Sequence, residues 1–148
     1  MSCELCQLVA GIDGASLTPI WHNSQLVVVL VDEPAYPGFC RVIWRAHVKE
    51  MSDLAPAERS AMMDVVWQVE LAMRDVMAPD KVNLASLGNM TPHLHWHLIP
   101  RYRDDAHFPS PLWAAAVRST EPDVLDARRA LLPTLSAAIA ARLHSISQ

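Results

Sequence analysis

The stretch from Thr91 to Arg103 (TPHLHWHLIPRYR) constrains this chain more than any other, because three of the chain's seven histidines fall in it at alternate positions, 93, 95 and 97. Leu94, Trp96, Leu98 and Ile99 fill the places between and after them. Successive side chains of a β-strand point to opposite faces, so the alternation predicts a strand with His93, His95 and His97 on one face and Leu94, Trp96 and Leu98 on the other. A helix would scatter the three rings around its barrel. Pro92 and Pro100 bracket the run and suit a short strand whose ends need no ladder donor.

A single histidine would be read as a solvated or hydrogen-bonded structural residue, but three in register repel one another and lose solvation, which calls for a compensating use. One use is metal ligation: histidines at i and i+2 can converge on one ion, with a third ligand usually drawn from another strand. The other is covalent catalysis, in which one imidazole attacks while its neighbours orient it and balance charge. The pattern leaves both open.

The remaining chain supplies a framework. Leu26 to Val31 reads as a central strand, Asp32 to Gly38 as a turn, and Phe39 to Arg45 as the returning strand, with Cys40 a small buried hydrophobe. Between Met51 and Pro79 lies the strongest helix signal: Pro56 fits its first turn, and Met62, Val66, Val69, Met73 and Met77 form an apolar stripe that would pack on the sheet. Lys81 to Leu87 predicts a further strand. His107 to Trp113 is a Pro-interrupted apolar segment expected to pack as coil closing the core, with a wall beside the site as its functional alternative. From Glu121 onward the pattern is helical, interrupted or restarted at Pro133.

His93-Leu94-His95-Trp96-His97-Leu98-Ile99 resembles the motif of the histidine triad (HIT) family. Residues 21 to 47 (WHNSQLVVVLVDEPAYPGFCRVIWRAH) are similar to that family's first half in the spacing from Asp32 through Pro37-Gly38 to His47, so the likeness covers roughly residues 3 to 110. It implies an α+β, HIT-like fold: an antiparallel sheet of about five strands with a long helix packed on it. On this reading residues 1–110 form the HIT domain and residues 111–148 a carboxy-terminal helical extension packed on the same domain.

The resemblance also implies chemistry. His95 takes the position of the nucleophile, attacking the α-phosphate of a purine nucleotide conjugate, a dinucleoside polyphosphate or nucleoside phosphoramidate, to form a covalent nucleotidyl-histidine. His97 would bind phosphate and help protonate the leaving group, and His93 would orient the site. Asp32 would contact the ribose hydroxyls, and Gly88, Asn89 and Thr91 the phosphate, although Met90 stands where the family usually has Ser or Thr. The Cys3-Glu4-Leu5-Cys6 pair, by itself a weak redox or zinc signal, would with His47 and His93 hold a structural zinc; the chemistry itself would need no cofactor. Members pair as two-fold dimers through the helix and a strand, so a homodimer is expected. Two alternatives remain: a zinc-dependent hydrolase using the histidine face as ligands, and a non-catalytic nucleotide-binding regulator.

Composition narrows the partners. A formal net charge of -4 with no basic stripe argues against nucleic acid, and no apolar run approaches the length of a bilayer span. With no signal-like opening and an odd count of three cysteines, a cytoplasmic protein without a disulfide framework is expected.

Overall fold

A computed structural model describes residues 2–146, so residue 1 and residues 147–148 of the two expected segments lie outside the described residues. The chain runs α1 (Glu4–Asp13), β1 (Trp21–His22), β2 (Leu26–Leu30), β3 (Cys40–Trp44), α2 (Pro56–Met77), β4 (Lys81–Ala85), β5 (His95–Arg101), α3 (Pro122–Arg129) and α4 (Leu132–Leu143). The five strands form one antiparallel sheet in the order β1-β2-β3-β5-β4. This is the expected α+β, HIT-like arrangement of a five-stranded sheet, a long helix and carboxy-terminal helices.

Period-two patterning divides the sheet into two faces. Leu26 and Val28 of β2, Cys40, Val42 and Trp44 of β3, Val82 of β4 and Leu98 of β5 share one face. Against them α2 lays Met62, Val65, Val66, Val69, Met73 and Met77, and α4 adds Leu135, Ile139 and Leu143 to the same core. The extension therefore completes the main core. Pro133 stands in the first turn of α4, where its missing N–H has no intrahelical partner to lose. At the other long helix, Pro56 opens α2 and the Glu58 carboxylate accepts the Ala55 N–H at 2.7 Å.

The opposite face carries Arg41 and Ile43 of β3 and His95 and His97 of β5, paired in register as Arg41 with His97 and Ile43 with His95. α1, which the sequence reading did not anticipate, covers the β2 end of this face by packing Val9 and Ile12 on Val27. Strand β5 begins at His95, so His93 lies in a bend two residues before it. The expected three-histidine strand face is thus a two-histidine face. His93 N–H donates to Thr91 O at 2.8 Å, a local turn bond that takes it out of the ladder. No helix among the described residues is long and apolar enough to cross a membrane.

Candidate active site and metal centre

His95 sits where β5 emerges from the loop of residues 86–92. Its Nδ1 lies 2.5 Å from the His93 backbone carbonyl. A carbonyl only accepts, so Nδ1 carries the proton and Nε2 keeps its lone pair. The backbone oxygen of His93 therefore sets the tautomer, a role that the sequence left unassigned. Ser86 Oγ donates to the His95 carbonyl at 2.8 Å and pins the strand end from the other side.

His97 follows on the same face, its ring centroid 4.8 Å from that of His95 at an interplanar angle of 82°. Phe39 and Trp113 approach His97 edge-on at 5.5 and 6.0 Å. Burial, then the His95 ring and the Arg41 charge, lower the His97 pKa to about 4. Burial, offset in part by the bond to His93 and reinforced by Arg41, also lowers that of His95. Both rings are consequently neutral near pH 7, the state in which an imidazole can act as a nucleophile.

A cavity of about 380 Å³ opens over these rings, lined by Arg41, Leu87, Gly88, Asn89, Met90, Thr91, His95, His97 and Trp113. It brings together five of the expected site residues: Gly88, Asn89, Thr91, His95 and His97. Gly88 adopts φ +89, a left-handed conformation that a residue with a Cβ rarely takes, and this turns the loop back over the histidines. Asp32 is not among the lining residues; it is exposed, just beyond β2.

His93 faces elsewhere. Its Nδ1 is 3.4 Å from Cys3 Sγ, 3.5 Å from Cys6 Sγ and 3.3 Å from His47 Nδ1, while Cys6 Sγ lies 3.4 Å from His47 Nδ1. The four ligand atoms lie within 4.8 Å of one another. A tetrahedral zinc with bonds of about 2.0–2.3 Å separates its ligands by roughly 3.3–3.8 Å; the four separations above agree with that, and with none beyond 4.8 Å this Cys2His2 set has the donors that zinc takes and would close on it with a shift of about 1 Å at most. His93 Nε2 donates to the Trp44 carbonyl at 2.6 Å, which leaves Nδ1 free to ligate and fixes the ring. His95 and His97 do not belong to this cluster.

Arg41 and Trp113 are the lining residues that sequence reasoning missed or favoured for another role. Arg41 is a single charge inside an apolar strand, and only its register with His97 reveals the face it takes. Trp113, expected chiefly as packing, instead forms a half-exposed wall of the cavity, and it lies beyond the expected domain boundary at residue 110.

Residues 17–104 match the family model described as HIT domain. The chain is 27% identical to bis(5'-nucleosyl)-tetraphosphatase [asymmetrical] of Schizosaccharomyces pombe over 92 residues, 58% of this chain and 50% of that protein. It therefore spans about half the length of that relative. Among solved structures, a histidine triad protein of Marinobacter aquaeolei superposes with a TM-score of 0.69 at 22% identity, covering 99% of this chain and 100% of that one. A Zn-bound histidine triad family protein of Mycobacterium smegmatis superposes with a TM-score of 0.64 at 23% identity, covering 99% of each chain.

Proposed function

The chain belongs to the HIT family, and on that premise we propose that it is a nucleotide hydrolase or nucleotidyl transferase acting at the α-phosphate of purine nucleotide conjugates. Dinucleoside polyphosphates and nucleoside phosphoramidates are the substrate classes. The tetraphosphatase name of the fission-yeast relative is consistent with the first.

The observation that carries this reading is the His95 Nδ1–H bond to the His93 carbonyl, which leaves a basic Nε2 on a ring that lines the cavity. In the proposed step the Nε2 lone pair forms a bond to phosphorus, and the bond to the leaving oxygen or nitrogen breaks with its electron pair. His97, neutral near pH 7, hydrogen-bonds the phosphate and helps protonate the leaving group by relaying a proton taken up from solvent as its own is given up. Water then displaces His95 and releases the mononucleotide. Gly88, Asn89 and Thr91 hold phosphate oxygens, and Asp32 meets the ribose.

Cys3, Cys6, His47 and His93 would hold a structural zinc whose contribution is to fix α1 and the His93 backbone; the transfer itself needs no metal. The alternative in which the whole histidine face ligates zinc is less well supported, since the cluster takes His93 alone of the three. A two-fold homodimer through α2 and the edge strand β4 would cover exposed Met63, Trp67 and Leu84.

Incubating the protein with labelled diadenosine tetraphosphate or adenosine 5'-phosphoramidate and quenching in base should leave adenylate on His95, read by peptide mass spectrometry. Tight mononucleotide binding with no adenylate on His95 would support the non-catalytic regulator instead.

A further inference from the structure

Arg41 is the residue of the cavity whose presence the framework does not explain. It is the second residue of β3, beside His97, with apolar neighbours along the strand at Cys40 and Val42. Its Nε is buried, and the side chain meets no hydrogen-bond or ion-pair partner among the described residues. The acidic group whose charge reaches it is Glu4 of α1, which makes no direct bond to it. A guanidinium carries five donors, and burying even part of it without acceptors, as here in a half-buried side chain, costs solvation with no return inside the protein. Arg101, which is buried at the far end of β5, shows the contrast: its guanidinium donates to Asp105, Asn83 and the Ser110 carbonyl. His97 Nδ1, on the same cavity, is likewise buried without a partner.

Two donor-bearing side chains left unsatisfied on one cavity describe a site completed by an anion. We propose that Arg41 is a substrate-contacting residue whose guanidinium binds the non-bridging oxygens of the phosphate that His95 attacks. The inference rests on the reading of the cavity as a nucleotide site. An attacked phosphorus lies roughly 3–3.5 Å from the attacking atom, and Arg41 lies close enough to both imidazoles for its charge to act on them. The planar fork matches two phosphate oxygens at once, which an ammonium cannot do.

The test measures AMP and adenosine binding by calorimetry to the full chain and to the Arg41→Gln and Arg41→Lys variants. AMP affinity should fall at least about tenfold in Arg41→Gln and less in Arg41→Lys, with adenosine affinity unchanged. Unchanged AMP affinity in Arg41→Gln, or an equal loss for adenosine, overturns the proposal. Should the variants fail to fold, phenylglyoxal modification of wild-type Arg41, mapped by mass spectrometry, decides instead: AMP should protect it where adenosine does not, and equal labelling with either overturns the contact. An AMP deficit in Arg41→Gln together with no nucleotide trapped on wild-type His95 supports the phosphate contact while sinking the transfer reaction. Trapping in both proteins with equal AMP affinity supports the reaction and sinks the contact.

Discussion

His95 is tied to His93 through the backbone rather than through the rings: its Nδ1–H donates to the His93 carbonyl at 2.5 Å, while the His93 side chain turns away to Cys3, Cys6 and His47. One residue thus supplies both the oxygen that sets the tautomer of the proposed nucleophile and the nitrogen that joins the candidate metal centre.

That division separates two variants. His95→Ala should lower turnover at least about a thousandfold and retain whatever zinc the wild-type protein binds, because the ring is not in the candidate ligand set. His93→Ala should lose the zinc, measured by metal analysis, and retain more turnover than His95→Ala because its backbone carbonyl remains. Loss of zinc in His95→Ala would assign that ring to the metal.

If the four-residue cluster holds zinc as proposed, removing it should loosen the amino-terminal helix. α1 touches the sheet through a small cluster of Val9, Ile12 and Val27, so two cysteine ligands, Cys3 just before the helix and Cys6 in its first turn, would add substantially to its anchorage. A ligand at about a hundredfold its dissociation constant stabilises by about 2.7 kcal/mol, or roughly 5–10 °C in a chain of this size. Chelation, or the Cys6→Ser substitution, should lower the thermal midpoint by that much, and zinc should restore it after chelation. Identical midpoints with and without metal would show that the four groups tie nothing down.

Much of this was legible in the sequence because periodicity encodes which face is buried. The alternation of residues 93–99, the apolar run of residues 26–31 and the methionine stripe of α2 each name an element and its inward side, and the structure forms all three. The start of β5 was not legible: a turn bond from His93 to Thr91 and the pull of a cluster 90 residues away in sequence decide it. Helix α1 was readable from Leu5, Val9 and Ile12 at helical spacing but is short enough to pass for a tail. Arg41 carried no signal at all, since a lone charge in a strand acquires meaning only when strand pairing sets it beside His97.

The histidine face should also make the fold sensitive to mild acid. His97 titrates near 4 in the folded protein, held down first by burial and then by His95 and Arg41, whereas an unfolded histidine titrates near 6.5. Stability from the neutral ring is therefore complete above pH 6.5. As the pH falls from there toward 4 the unfolded state gains a proton that the native state refuses, and at most about 3 kcal/mol is lost. Urea midpoints of the metal-free protein at pH 7.5 and 5 should show this fall, and His97→Asn should reduce it. An equal midpoint at both values would mean that the ring is solvated in the native state.

The segment that leads to Trp113 is gathered around one buried carboxylate, with Arg118 donating to the Asp105 and Phe108 carbonyls and Arg101 to that of Ser110. Asp105 accepts from Arg101 Nε at 2.7 Å and from the backbone N–H groups of Tyr102, His107 and Phe108 at 3.0, 3.0 and 2.7 Å. Tyr36 adds its hydroxyl at 3.2 Å. Burial raises the Asp105 pKa, but these donors outweigh it and bring it to about 2, so the clasp outlasts the loss at His97 and fails only as the pH falls through that value. Both partners of the Arg101–Asp105 pair are only 2% exposed, and removing one leaves the other charged and buried. Asp105→Ala should accordingly cost about 3–5 kcal/mol in urea unfolding. In the surviving folded fraction the freed segment should let Trp113 leave the cavity wall, seen as a red shift of its fluorescence against a Trp113→Phe control. A cost below about 1 kcal/mol, or an unchanged Trp113 spectrum, would show that the segment is held by its other contacts and that the carboxylate has no part in shaping the site.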